Sequence, residues 1–69
     1  MKIRDGLKLK ELFASTKDWW TLQAVADGLK ISKRTAHKLF SGKNINHATA
    51  MKVARELGVE TLDIAEFVN

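Results

Sequence analysis

Three polar residues suited to capping helices, Thr21, Ser32 and Asn46, each stand just before a stretch in which apolar residues recur every three or four positions. Two glycines, Gly42 and Gly58, stand just after such stretches. The side-chain oxygens of Thr, Ser and Asn accept from the free N–H groups of a helix's first turn. Glycine takes the left-handed conformation that closes the last turn. This punctuation restricts the chain to short helices joined by tight connections.

The spacing predicts a first helix over residues 5–14, with Leu9, Leu12 and Phe13 in one stripe, Leu7 extending it, and residues 15–18 as a connector. A second helix begins at Thr21, carries Leu22, Val25, Ala26 and Leu29, and ends between Gly28 and Lys30. A third begins at Ser32 with Ala36, Leu39 and Phe40 inward, and closes at Ser41 and Gly42. A fourth begins at Asn46, with Ala50, Val53, Ala54 and Leu57 on its apolar face. Thr61 caps a fifth that carries Leu62, Ala65, Phe67 and Val68. Strand-like alternation is weak throughout. The expectation is an all-α fold, a compact bundle of about five short helices, in one domain over residues 1–69. With no cysteine, no disulfide or thiolate zinc site can staple so small a core.

Charge is unevenly spread. Residues 30–55 carry Lys30, Lys33, Arg34, Lys38, Lys43, Lys52 and Arg55 and no acid. Residues 56–69 carry Glu56, Glu60, Asp63 and Glu66 and no base. An acid-free basic segment of this density suggests a polyanion partner, with a solvated basic face as the alternative. No apolar run is long enough to span a bilayer. No long apolar stretch follows the positive charges of the first residues, so no secretory signal is expected and the expected location is the cytoplasm.

Two short helices joined by a tight turn, the second of them basic, meet the physical requirement of a helix-turn-helix over about residues 21–41. The first braces the second, which presents Lys33, Arg34, Thr35, His37 and Lys38 as candidates for base edges. Arg34 suits the paired acceptors on guanine's major-groove edge, and phosphate is as good a candidate as base for Lys33. Thr35 offers a hydroxyl, or a methyl for thymine. Thr21, Lys43, Asn44 and Asn46, at helix ends or beside the third helix, are candidates for phosphate contact, which is compatible with simple capping.

The stretch TLQAVADGLKISKRTAHKLFSGK resembles the Cro/CI-type helix-turn-helix proteins, the XRE family. Thr21, Ala26, Leu29, Lys30, Ile31, Ser32, Leu39, Gly42 and Lys43 fall at the positions of the family pattern. NHATAMKVARELGV follows the family's fourth-helix pattern through Thr49, Lys52, Ala54, Leu57, Gly58 and Val59. The resemblance covers residues 20–64 and implies a lambda repressor-like fold. Its departures are Lys30 at the usual turn glycine, Leu22 for a common glutamine, Phe40 for a common acid and His47 for an apolar residue. Gly28 is expected to shift the end of the second helix. Trp20 falls where the family has a core leucine, and Trp19 is expected to stay partly exposed, with either its indole N–H directed at a phosphate or its ring covering the core's edge.

The resemblance implies a small bacterial, phage or plasmid repressor that blocks a promoter, with double-stranded DNA as partner through an inverted-repeat operator. Pairing two subunits would double the readout. Phe67 and Val68 at the acidic C-terminal end, expected to face away from DNA, are the candidate dimer interface, and closure of the protomer's own core is the other role open to Phe67. The alternatives are a protein-binding adaptor such as an antitoxin, and an accessory DNA-binding factor in recombination or conjugation. No set of nucleophile, base and orienting group, no phosphate-cradling glycine loop and no metal-ligand cluster is present, so neither an enzyme nor a cofactor is expected.

Overall fold

The computed structural model describes residues 1–68. It is a bundle of five helices closed by a very small sheet. Helix α1 spans Gly6–Lys17 and begins at Asp5, whose carboxylate accepts from the Lys8 N–H at 3.1 Å. It runs past residue 14, so the expected connector is largely helical. Ser15 and Thr16 donate their hydroxyls back to the Leu12 carbonyl, which satisfies them without leaving the helix. The helix stops at Asp18, which sits in the left-handed region at φ 60°.

Helix α2, Leu22–Leu29, is capped by Thr21, whose hydroxyl oxygen accepts from the Ala24 N–H at 3.0 Å. It closes on Lys30 at φ 57°. Helix α3, Lys33–Phe40, is capped by Ser32, and α4, His47–Leu57, by Asn46. Gly42 and Gly58 both hold positive φ after α3 and α4. After α4 the Val59 N–H returns to the Ala54 carbonyl at 3.0 Å, the bond that a left-handed glycine makes possible.

Helix α5 is only Thr61–Ile64. Its cap is Glu60 rather than Thr61, and the Asp63 carboxylate accepts from the Glu60 N–H. The helix does not reach Val68. At Ala65 the backbone turns extended (φ −134°), and strand β2, Ala65–Glu66, pairs antiparallel with strand β1, Lys2–Ile3. Ile3 and Ala65 face one another and are both buried, which fixes the register. A pairing across the whole chain outweighs the helical spacing of Leu62, Ala65 and Phe67.

The core gathers around Phe13, fully buried on α1. Val25, Leu29, Leu39 and Val53 from α2, α3 and α4 close over it, with Ile45 from the loop between α3 and α4. Phe40 stands edge-on to Phe13 at 6.3 Å between centroids, so it does enlarge the core. Trp20 is not the core residue it was expected to be. Trp19 packs on the core, 5.4 Å from Phe13, while Trp20 is 69% exposed. The cause is the left-handed turn at Asp18, after which the Trp19 N–H returns to the Phe13 carbonyl and its indole lies over the core. Gly28 lies inside α2 and does not shift its end. A Cβ there would run into the Trp19 ring, so glycine makes room for the indole. Among the described residues no helix is long and apolar enough to cross a membrane.

Candidate nucleic-acid interface

Helices α2 and α3 pack against one another across the three-residue turn Lys30, Ile31 and Ser32. Ile31 donates its N–H to the Ala26 carbonyl at 3.0 Å, and the Ser32 hydroxyl oxygen accepts from the Thr35 N–H at 3.1 Å. These bonds fix where α3 begins. Ala36 and Leu39 are fully buried, and this determines the rotation of α3 about its axis. With those two positions inward, Lys33, Arg34, His37 and Lys38 are exposed on the outer face. Thr35 is half-buried, and its hydroxyl lies 2.9 Å from that of Ser32. Of the five candidates for base contact, Thr35 is the one already held by a neighbour.

Beyond α3 the chain returns to the same face. The Lys43 N–H donates to the Lys38 carbonyl at 3.2 Å, which holds Lys43 against the last turn of α3. Arg34, His37, Lys38 and Lys43 line one shallow open recess. The structure thus brings together three residues expected at base edges and one expected at phosphate.

The other phosphate candidates all make hydrogen bonds within the fold. The Thr21 and Asn46 oxygens accept from the first-turn amides of Ala24 and Thr49. The Asn44 oxygen accepts from the amino group of Met1 at 2.8 Å. Each of these bonds uses the side chain as an acceptor. A phosphate needs donors, and the Thr21 hydroxyl hydrogen and the side-chain NH2 groups of Asn44 and Asn46 remain for it.

The electrostatics of this face differ from those of the rest of the molecule. The ion pairs among the described residues are Lys2–Glu66, Arg4–Glu66 and Lys17–Glu56, at 3.4–3.7 Å. None involves a cation from residues 30–55. The acids at the C-terminal end therefore spend part of their charge on the chain's first residues and on α1. Arg34, Lys38 and Lys43 keep theirs for solvent or a partner.

Phe67 and Val68 follow β2 and are both exposed, Phe67 at 67%. Phe67 therefore does not close the protomer's core. Its ring stands edge-on to His47, the first residue of α4, at 6.3 Å. The C-terminal end thus returns to the loop that carries Asn44 and Asn46 instead of standing apart from it.

One part of the surface was not legible in the sequence. A groove runs between α1, the start of α2 and α3, lined by Lys10, Trp20, Thr21, Leu22, His37 and Phe40 among others. Lys10 looks like any solvated lysine on an amphipathic helix, and Trp20 reads as core. Only the packing shows that they share a groove with His37. No protein-family model matches the chain, and no curated protein or solved structure matches it either.

Proposed function

We propose that the protein binds double-stranded DNA sequence-specifically, with α3 in the major groove, as a small transcriptional regulator of the Cro/CI type that represses by occluding a promoter. The observation that carries this reading is the outer face of α3. Lys33, Arg34, His37 and Lys38 are exposed there, Lys43 is held beside them, and no ion pair among the described residues neutralises any of them. Such a face matches the acceptor-rich floor and anionic walls of a major groove. Thr21, Asn44 and Asn46 stand at the ends of the bracing elements and supply donors for flanking phosphates. This role belongs in a bacterial cytoplasm, at the nucleoid.

One α3 reads only a few base pairs, and the proposal includes a homodimer on an inverted repeat with half-sites about 34 Å apart. Exposed Phe67 and Val68 are the pairing surface it assigns. Selection of bound sites from random duplexes tests the whole reading. The expected outcome is an inverted repeat bound with steep salt dependence. Absence of any duplex binding at low salt overturns it in favour of a protein-binding adaptor. Enrichment without sequence preference points to an accessory factor instead.

A further inference from the structure

We infer that the groove walled by Trp20 seats the DNA backbone beside the recognition site, with a deoxyribose against the Trp20 indole and its phosphates at Lys10 and Thr21. This rests on the DNA-binding reading above and extends it to a second surface. Trp20 is 69% exposed, an unusual position for so large an apolar ring. Its indole N–H donates to the Asp18 carboxylate, so the ring is held in place with its polar atom turned to protein.

Trp20 stands between two recesses. On one side lie Leu7, Glu11 and Ala14, where Glu11 would repel a phosphate, and Lys10 borders this recess as well as the next. On the other lies the groove of about 380 Å³ with Lys10, Thr21 and His37, which no carboxylate lines. His37 also lines the recess of Arg34, Lys38 and Lys43. The groove therefore adjoins the outer face of α3 at His37. A backbone strand leaving that face along the groove comes within reach of the Thr21 hydroxyl, the Lys10 ammonium and the Trp20 ring. The Trp20 ring matches the C–H faces of a sugar and has no use for a phosphate oxygen. A hydroxyl donor, an apolar wall and a cation in one groove suit the chemistry of a nucleic-acid backbone.

The experiment follows tryptophan fluorescence with acrylamide as quencher, on the full chain with and without a mixed-sequence duplex. Free protein should show one readily quenched indole, and the duplex should protect it. Trp20→Phe should abolish that change, because Trp19 is already packed against Phe13 and Gly28. Trp20→Ala should weaken binding to every duplex alike by roughly tenfold, about what partial burial of an indole supplies, while the circular dichroism stays native. Lys10→Ala should lower the salt slope by about one unit. The inference fails if Trp20 stays equally quenchable in the complex, or if both alanine variants bind as the parent does. Protection of Trp20 by raising protein concentration alone would assign the groove to a second copy and overturn it equally. If the parent binds no duplex at all, the DNA-binding reading itself falls, which is a separate result from intact binding with an exposed Trp20.

Discussion

Lys30 holds φ 57° at the end of α2, a conformation that costs a residue with a Cβ roughly 1 kcal/mol or more. The family resemblance puts glycine there, and the backbone does what glycine would do. Lys30→Gly should therefore raise stability by about 1 kcal/mol in chemical denaturation, since relief of strain exceeds the added freedom of the unfolded chain. A loss of stability would mean that the lysine side chain makes a compensating contact. Arg34, exposed in the first turn of α3, is the residue on which base choice should turn. Arg34→Ala should cost about 1–3 kcal/mol on the selected site and relax preference at one position. Equal weakening on random duplex would reassign Arg34 to phosphate. Lys43, tied to α3 only through its backbone, should behave the other way. Lys43→Ala should weaken selected and random duplexes alike and flatten the salt slope by about one unit, and an unchanged slope would leave it a solvated charge.

At the scale of the element, local chemistry was legible and long-range chemistry was not. Thr21, Ser32 and Asn46 cap α2, α3 and α4 as their side chains suggest, because a cap depends on a residue and its next three neighbours. The exposed face of α3 followed from two buried positions, Ala36 and Leu39. The failures lie where distant segments decide. Ala65 leaves the helix because Ile3 offers it a buried partner, and nothing within ten residues of Ala65 announces that. Trp19 and Trp20 are adjacent and chemically alike, so only the turn at Asp18 and the space over Gly28 determine which goes inward. Lys10 joined the candidate site only once α1 was packed beside α2 and α3. Gly28 gives a direct test of this packing. Gly28→Ala improves helix propensity yet drives a methyl into the Trp19 ring. It should lower stability by about 1–3 kcal/mol, with a shift in the Trp19 fluorescence, and a stabilised variant would refute the close approach.

At the scale of the whole molecule, the protomer measures 32 × 23 × 19 Å, so its longest dimension is close to one turn of duplex DNA. Two protomers meeting through Phe67 and Val68 could present their α3 helices to successive turns of one groove face. Phe67→Ala should then sediment as a monomer and bind a half-site as tightly as the parent does, while losing its advantage on the inverted repeat. A variant still dimeric on the repeat would move the interface elsewhere. The β1–β2 pairing has a consequence in time. Turns between neighbouring helices close over a few residues, whereas Lys2 can meet Glu66 only after nearly the whole chain has been drawn together. Loop closure over that length costs more entropy than closing a turn between neighbouring helices, so the pairing is expected to form late and open early. Through the Ile45 N–H, which donates to the Met1 carbonyl, the same opening would loosen the loop that carries Asn44 and Asn46. The helical body can therefore persist while this corner is undone. In hydrogen exchange the Arg4 and Ile45 amides should exchange together and ahead of those in the middle of α2, making this corner late to assemble and early to come apart.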